Sequence, residues 1–478
     1  MSHMSAKISP MNLALAQAAQ WLQASLVASD AHQAGERRVL RVHTDSRSLL
    51  PGDLFVALKG ETFDATAFIA DAAAAGAVGV MCEASGEILA RQSGLPALIV
   101  PNAREALGRL AQAWRAQWTW PVIAVTGSNG KTTVTQMIAA ILRAHAGDAT
   151  WATQGNFNND IGVPLTLLQL RPHHRLAVIE MGMNHPGEIG QLADWVRPTV
   201  ALVNNAQREH QEFMGTVEAV ALENGSVLSY LPHDGVAVIP ADDAFTSLWQ
   251  GLAAGRRECR FAWQDAEVTA SIVTWQGSCW QFTLRTPEGT APVHLHIAGR
   301  HNVRNALAAS ACALAAGVSL TSVVQGLESF EPVRGRSRAL SLDGGRQTLI
   351  DDTYNANPDS VLAAIEVLRE LPGPRALVLG DMGEVGHQGP QFHAEVGQAA
   401  QAAGIEHLWT FGELTRHAAA AHARARHFEA MSELLVALPE LKSACTSLLV
   451  KGSRSMKMER VVQALQEQES SQGALHAA

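Results

Sequence analysis

A glycine-rich segment that ends in a lysine and two threonines carries the clearest chemical signal in the sequence. Residues 126–133 read TGSNGKTT. The backbone N–H groups of such a loop cradle phosphates, while its lysine reaches the β- and γ-phosphates and the hydroxyl after it binds Mg²⁺. The general P-loop pattern has glycine where this chain has Val125. The segment nevertheless predicts ATP binding. The residues expected to bind ATP are Gly127, Asn129, Gly130, Lys131, Thr132 and Thr133.

Two further residues able to bind a metal follow apolar runs. Glu180 comes directly after residues 176–179, and His210 lies shortly after residues 200–203. A carboxylate beside a P-loop suits Mg²⁺ as a hard oxygen ligand, although it could equally cap a following helix. A single histidine is most often structural, so the residues alone leave the role of His210 open. We therefore expect Glu180 to bind Mg²⁺ together with Thr132.

A parallel sheet is needed to bring these residues together. Residues 122–125, 176–179 and 200–203 are short apolar runs of the kind that form buried parallel strands. Residues 134–142 carry apolar side chains at helical spacing, which predicts a helix directly after the glycine-rich loop. Ligands of such sheets bind at the carboxyl ends of the strands. We therefore predict a doubly wound sheet, with a few appended antiparallel strands over residues 255–298.

The chain of 478 residues is too long for one hydrophobic core, so about two or three domains are expected. A tryptophan-rich stretch at residues 114–120, expected to pack between domains, marks one boundary, and residues 331–332 mark another. Beyond them, apolar runs at 348–350, 376–379 and 447–450 predict another α/β domain. The fold class is therefore α/β. The predicted domains are a small α/β domain at 1–118, a central P-loop domain at 119–331 and a C-terminal Rossmann-like domain at 332–478.

Composition narrows the partners and the compartment. The net charge of −9 argues against a nucleic-acid-binding protein, which would need a basic face. No apolar run approaches the ~20 residues that span a bilayer, and no secretion signal is visible at the N-terminus. Five cysteines without a CxxC pair predict buried, reduced thiols. We therefore expect a cytoplasmic protein that neither inserts into membranes nor binds nucleic acid.

An ordered series of motifs makes a family resemblance specific. DTYNANP at 352–358 resembles a motif of the dipeptide-adding branch of the Mur ligases, and the TGxNGKT loop of that family accounts for Val125. The resemblance covers nearly the whole chain. The other matching segments are TDSR at 44–47, PGDLFVA at 51–57, GNFNNDIGVP at 155–164, GRHNVRNA at 299–306, GR at 335–336, LGDM at 379–382 with Glu384, and KGSR at 451–454.

The resemblance implies an ATP-dependent ligase that adds D-alanyl-D-alanine to UDP-N-acetylmuramoyl-tripeptide through an acyl phosphate. It implies ATP and Mg²⁺ as cofactors and a monomeric enzyme, with the first domain binding the UDP end and the third domain binding the dipeptide. For catalysis it implicates Lys131, Glu180, His210 and Arg336, with His210 helping to hold a second Mg²⁺. For ATP it adds Asn302, Asn305, Arg336 and Asp352. For the substrates it implicates Asp45, Ser46, Arg47, Asn156, Asn158, Asn159, Asn355, Asn357 and Pro358.

The chain departs from the family at two places. Asn224, in ALENGS at 221–226, stands where the family usually has a carbamylated lysine that supports the second Mg²⁺. We hypothesise that Glu209 or Glu223 supplies the missing charge, or that the site is rebuilt; the alternative is that Asn224 is sufficient by itself. The second departure is DAT at 64–66, where the family favours Asp-Gly-His.

Two other functions remain open from the sequence. A folylpolyglutamate synthetase shares the ATP core, but DTYNANP and the long N-terminal domain argue against it. A nucleotide-dependent switch would have no use for the asparagine-rich loop at 155–164. The third residue of the tripeptide, diaminopimelate or lysine, is not distinguished by any motif.

Overall fold

The computed structural model describes residues 10–60, 62–276 and 279–476, and over these residues the chain forms three α/β units in sequence order. We call them the N-terminal, central and C-terminal units, each defined by its main sheet. Within the described residues, no helix is both long enough and apolar enough to cross a membrane.

The N-terminal unit is built on a small, mostly parallel sheet. Ser25–Val27 pairs antiparallel with Ala97–Ile99, and the other neighbouring strands of this sheet are parallel. A short ribbon of Leu13–Ala14 and Arg38–Val39 lies beside it. The strand order is Ser25–Val27, Ala97–Ile99, Gly79–Cys82, Asp53–Val56 and Arg41–His43. The helices are Leu15–Leu22, Ala31–Gly35, Ile69–Ala74, Glu87–Gln92 and Ala103–Arg115.

The central unit has a fully parallel sheet with the P-loop strand, Val122–Thr126, inside it. Its neighbours are Leu176–Glu180 on one side and Val200–Val203 on the other, so their carboxyl ends share one edge. The full order is Arg257–Phe261, Val236–Pro240, Val200–Val203, Val122–Thr126, Leu176–Glu180 and Thr150–Ala152. An appended antiparallel sheet consists of Thr269–Gln276, Cys279–Thr286 and Gly289–Leu295.

The helix Lys131–Ala146 fixes the glycine-rich loop to the core of the central unit. The side chains of Val134, Met137, Ile138 and Ile141 are fully buried, and each such burial contributes about 1.5–3 kcal/mol. The other helices of this unit are Gly162–Leu167, Glu188–Val196, Gln211–Met214, Val217–Gly225, Thr246–Leu252, His301–Ala315 and Leu320–Glu328.

The C-terminal unit repeats the parallel α/β pattern with one antiparallel edge strand, Arg338–Leu342. From that edge the order continues with Gln347–Asp352, Ser447–Lys451, Arg375–Gly380, His407–Phe411 and Ala425–Phe428. The helices are Pro358–Arg369, Gly389–Ala402, Arg416–Ala420, Met431–Ala444 and Glu459–His476.

The predicted α/β class with three units is confirmed, while the boundaries after residues 118 and 331 stay predictions. One part of the strand prediction over 255–298 was wrong. Arg257–Phe261 joins the central sheet in parallel to Val236–Pro240, and only the later strands are antiparallel. Of the tryptophans in the stretch 114–120, Trp114 does pack between units, because its indole N–H donates to the Leu170 carbonyl at 3.0 Å.

Candidate active site

A cleft of about 820 Å³ lies where the three units meet, at the carboxyl edge of the central sheet. The N-terminal unit contributes Arg104 to its lining, and the C-terminal unit contributes a strand end and several loops. The structure therefore gathers residues predicted from distant segments. The predicted residues that line the cleft are Asn129, Gly130, Lys131, Thr132, Asn156, Asn158, Asn159, Glu180, His210, Arg336, Asp352, Asn355 and Asn357.

The glycine-rich loop ends where its helix begins. Gly130, the residue before the helix Lys131–Ala146, has a φ of 82°, and a side chain there would meet Asn305 Oδ1 at 2.7 Å. Lys131 Nζ donates to the Ser128 carbonyl at 3.0 Å and lies 2.7 Å from Glu209 Oε1. The loop thus presents a helix N-terminus and an ammonium group to the cleft, which is the arrangement that binds phosphate.

Glu180 has one carboxylate oxygen free for a cation. Its Oε1 accepts from Thr132 Oγ1 at 3.2 Å and from Asn158 Nδ2 at 2.8 Å, whereas the buried Oε2 has no hydrogen-bond partner. Such an orphaned oxygen beside a threonine hydroxyl fits Mg²⁺, which binds proteins through one or two carboxylates and takes further oxygens from phosphates. The described residues contain no cluster of three or more His, Cys, Asp or Glu side chains arranged as a metal cage.

Glu209 and His210 form a charged corner beside Lys131. His210 is a non-glycine residue with a φ of 49°, and its Nδ1 forms an ion pair with Glu384 of the C-terminal unit. Burial disfavours the charged imidazole, but Glu209 and Glu384 outweigh it and raise the pKa of His210 to about 9. Burial also raises the pKa of Glu209, yet Lys131 and His210 hold that pKa below its ordinary value. Both side chains are therefore charged at neutral pH.

The C-terminal unit reaches the P-loop directly. Arg336 Nη2 donates to Thr132 Oγ1 at 3.1 Å, and its guanidinium lies 3.8 Å from the centroid of the Tyr354 ring. The amides of Asn129 and Asn357 face each other, with Asn357 Nδ2 donating to Asn129 Oδ1 at 3.0 Å. Groups from two units therefore meet where the phosphates of a nucleotide would lie.

Asp352 and Lys451 form a buried ion pair at the C-terminal wall of the cleft. Lys451 Nζ donates to Asp352 Oδ2 at 2.5 Å and to the Asn355 carbonyl at 2.9 Å. Burial raises the pKa of Asp352, but the Lys451 ammonium outweighs burial and leaves this pKa below its ordinary value. The pair fixes the loop that carries Asn355.

Asn224, which stands where the family usually has a lysine, and its neighbour Glu223 both bind backbone N–H groups of the central unit. Asn224 Oδ1 accepts the Gly127 N–H at 2.9 Å, so this side chain supports the P-loop from behind. Both oxygens of Glu223 accept N–H groups at the start of the helix Glu188–Val196, from Gly187 at 2.8 Å and from Ile189 at 2.7 Å. Glu223 is thus occupied as a helix cap.

Several predicted residues lie off the cleft. Asn302 and Asn305 are buried beneath the P-loop, where Asn305 Nδ2 donates to Asn302 Oδ1 at 2.9 Å and Asn204 Nδ2 donates to Asn305 Oδ1 at 3.1 Å. Their predicted adenine contact stays a prediction, since both amides are engaged within the protein. The other predicted residues that do not line the cleft are Gly127 and Thr133 of the loop, Pro358 at a helix start, and Asp45, Ser46 and Arg47 of the N-terminal unit.

Sequence reasoning missed the polar residues that reach the cleft or the P-loop from outside the motifs. Arg104 pairs with Asp160 at 2.8 Å, joining the N-terminal unit to the asparagine-rich loop. Asn205 and Gln207 hold Asn129 at 2.9 and 2.6 Å. No spacing in the sequence identifies such contacts, because they depend on how separate loops are placed by the fold.

Three family models match the chain in tandem. The Mur ligase family catalytic domain matches residues 38–115, the Mur ligase middle domain matches 125–313, and the Mur ligase glutamate ligase domain matches 335–454. Each match falls within one unit, in the order N-terminal, central and C-terminal.

Individual Mur ligases are also similar to this chain over almost its full length. The UDP-N-acetylmuramoyl-tripeptide–D-alanyl-D-alanine ligase of Escherichia coli K12 is 44% identical, covering 89% of this chain and 93% of the relative. The enzyme of the same name from Haemophilus influenzae is 38% identical, covering 96% and 99%. A crystal structure of MurF from Acinetobacter baumannii aligns with a TM-score of 0.87 at 34% identity, covering 96% and 100%. The chain therefore belongs to the Mur ligase family, as its motifs predicted.

Proposed function

We propose that this chain is an ATP-dependent, Mg²⁺-requiring ligase that joins D-alanyl-D-alanine to UDP-N-acetylmuramoyl-tripeptide. The full-length relatives carry this activity in their names. The observation that carries the proposal is the meeting of Arg336 with Thr132 Oγ1 at 3.1 Å, because it joins the C-terminal unit to the phosphate-binding loop. A ligase needs this arrangement to bring a nucleotide and two acceptors into one closed cleft.

The reaction has two bond exchanges. An oxygen of the tripeptide carboxylate attacks the γ-phosphorus of ATP, and ADP leaves. The dipeptide amine then attacks the acyl carbon, phosphate leaves, and the amine nitrogen gives up its proton. Phosphoryl transfer of this kind depends mainly on positioning and charge neutralisation. The protein therefore has to hold the γ-phosphate, the tripeptide carboxylate and the dipeptide amine in reactive positions, and it has to exclude water from the activated acyl group.

The cleft residues divide this work. Lys131 supplies positive charge from the P-loop itself, and Arg336 supplies it from the C-terminal unit, within hydrogen-bond reach of Thr132 on that loop. Thr132 and Glu180 would hold one Mg²⁺, and His210 would help to hold a second once its ring has given up a proton. The metal would supply further neutralisation of phosphate and carboxylate oxygens when it is bound. The free Oε2 of Glu180 is the observation that supports this metal assignment.

Glu209 is our candidate for the charge that the family's carbamylated lysine usually supplies. Its side chain is buried, its Oε2 has no hydrogen-bond partner, and it lies beside both Lys131 and His210. Asn224 and Glu223 are both committed to backbone N–H groups elsewhere. Of the two carboxylates considered from the sequence, only Glu209 faces the reaction site.

The test is phosphate release from ATP, with and without the UDP-linked tripeptide and D-alanyl-D-alanine, while the UDP-linked product is followed by mass. We expect release to require both acceptors and the product to gain the mass of the dipeptide. Lys131→Ala serves as the control that separates this activity from contaminating ATPases. Release without acceptors would favour a nucleotide-dependent switch, and release only with folate and glutamate would favour a folylpolyglutamate synthetase. Light scattering on the same sample checks the predicted monomer.

A further inference from the structure

Arg208 lies directly before the Glu209–His210 corner and crosses the boundary between two units. Its Nη2 donates to Asp359 Oδ1 at 2.7 Å, and its Nη1 donates to Glu395 Oε2 at 2.7 Å. The guanidinium also lies 5.2 Å from the centroid of the Phe392 ring. All three partners belong to the C-terminal unit, and the Arg208 side chain is only 23% exposed. Two carboxylates therefore hold one arginine in a fixed, two-sided geometry.

The contact extends to the main chain of the corner. The Arg208 backbone N–H donates to Asp359 Oδ2 at 2.8 Å, so Asp359 binds both the side chain and the backbone of this residue. Two residues later, His210 has the left-handed φ of 49° and pairs with Glu384. A non-glycine residue keeps such a conformation only where its surroundings impose it. The C-terminal unit thus holds the corner from both ends.

The start of the helix Pro358–Arg369, which carries Asp359, also contacts the P-loop. Asn357 caps the helix Pro358–Arg369, and its amide faces that of Asn129. Asp359 follows two residues later in the first turn of this helix. One rigid element therefore contacts both the nucleotide loop and the Arg208 segment, so that a shift of the helix moves the two contacts together.

We propose that Arg208 is a positioning residue that couples docking of the C-terminal unit to the geometry of Glu209 and His210. Arg208 does not line the cleft, and it acts through the two residues that follow it. When Asp359 and Glu395 engage the guanidinium, the corner takes the conformation in which Glu209 faces Lys131. When the C-terminal unit moves away, the corner is released. The inference rests on the proposed ligase function, because it assigns a step to the closing of that enzyme.

The first experiment compares Arg208→Gln with a matched control, Arg260→Gln. Arg260 makes the same pattern of contacts, with its side chain and its backbone N–H both bound to Glu267, but both residues lie in the central unit. We expect Arg208→Gln to lower kcat about ten- to a hundredfold, as misplacement of reacting groups does, while KM for the UDP-linked tripeptide stays within about twofold. Arg260→Gln should leave both constants within about twofold.

A double-variant cycle separates a positioning role from a general loss of structure. Asp359→Asn should lower kcat as Arg208→Gln does. The kcat of the double variant should lie within about twofold of either single variant, because all three variants lack the same Arg208–Asp359 ion pair. In small-angle X-ray scattering, the wild type with ATP analogue and substrate should be more compact than Arg208→Gln under the same conditions. Glu395→Gln, on the helix Gly389–Ala402, removes the other carboxylate that holds Arg208 and should lower kcat in the same direction, which provides a second probe if Arg208→Gln fails to fold.

Equal kcat values for Arg208→Gln and Arg260→Gln, or additive effects in the cycle, overturn the positioning role. The same holds if the scattering curves of wild type and Arg208→Gln coincide. Failure of the proposed function is separate, since it would appear in the wild type as turnover that does not depend on the two acceptors.

Discussion

The support of the P-loop by Asn224 allows a quantitative prediction for Asn224→Ala. Asn224 is 1% exposed, and its Oδ1 is the partner of the buried Gly127 N–H at 2.9 Å. Removing an acceptor from a buried N–H costs about 1–3 kcal/mol. The buried Asn224 Nδ2 has no hydrogen-bond partner, so removing this unsatisfied donor offsets part of the loss. We therefore expect a net loss of about 1–2 kcal/mol.

This loss should appear mainly in nucleotide binding, because Gly127 belongs to the loop that receives the phosphates. A loss of 1–2 kcal/mol corresponds to a rise of about 5- to 30-fold in the ATP dissociation constant. Isothermal titration with a non-hydrolysable ATP analogue measures the constant, and urea unfolding measures any share that falls on global stability. Thr126→Val is the control for ATP binding: it removes the hydroxyl that donates to the backbone carbonyls of Leu202 and Asn224, at 2.9 and 3.0 Å, but keeps the Gly127 hydrogen bond.

The reasoning fails if Asn224→Ala weakens ATP binding by no more than Thr126→Val does. It also fails if kcat falls while ATP affinity stays constant, since that pattern would place Asn224 in the chemical step.

Three other predictions follow from buried groups. Glu209→Gln should raise the Mg²⁺ concentration needed for half-maximal activity or lower turnover, whereas Glu223→Gln should cost about 1 kcal/mol in urea unfolding and leave the Mg²⁺ requirement unchanged, because Glu223 only caps a helix. Cys259 is only partly buried, but burial still raises its pKa from 9.0 to about 11, so its alkylation at pH 8 should be about 100-fold slower in the folded chain than in urea. Asp352→Asn should destabilise the chain by about 3–5 kcal/mol in urea unfolding, because it leaves the Lys451 ammonium buried without its charge partner.

Each of these predictions has a contrary result and, for Asp352, a pH signature. Unchanged Mg²⁺ dependence together with unchanged turnover in Glu209→Gln would remove Glu209 as the compensating charge. Rapid alkylation of Cys259 in the folded chain would contradict its raised pKa. Since the pKa of Asp352 is lowered by folding, its stabilisation is present above the unfolded pKa of about 3.9 and is lost as the pH falls through the folded value. A wild type and an Asp352→Asn variant that differ equally at neutral and strongly acidic pH would contradict this assignment.

Strand positions and the glycine-rich loop were accessible from the sequence because they rest on local patterns. The apolar runs before Thr126, Glu180 and Asn204 form neighbouring parallel strands, so their polar ends meet as expected. A strand at an edge is harder to assign. Arg257–Phe261 is only partly buried and pairs with one neighbour, and its sequence does not reveal whether that neighbour runs parallel or antiparallel.

The orientation of individual side chains was not accessible. Asn224 and Glu223 are adjacent on one helix, yet one supports the P-loop and the other caps a different helix. Motif alignment placed both near the predicted metal site, whereas only the three-dimensional arrangement shows where each carbonyl or carboxylate oxygen points. Contacts between units, such as Arg208 with Asp359, are equally hidden, because no local pattern links residues 151 positions apart.

The placement of tryptophan gives each of the two joints of this molecule its own optical signal. Trp114 lies against Leu170 between the N-terminal and central units, and Trp275 packs against the core of the C-terminal unit from the central one. Indole emission responds to changes in ring contacts and hydration, so movement at either joint alters the intrinsic fluorescence without an attached dye. Replacing Trp275 by phenylalanine would remove the signal from the joint between the central and C-terminal units. The change in emission that remains during a single turnover would then report the rate of motion between the N-terminal and central units.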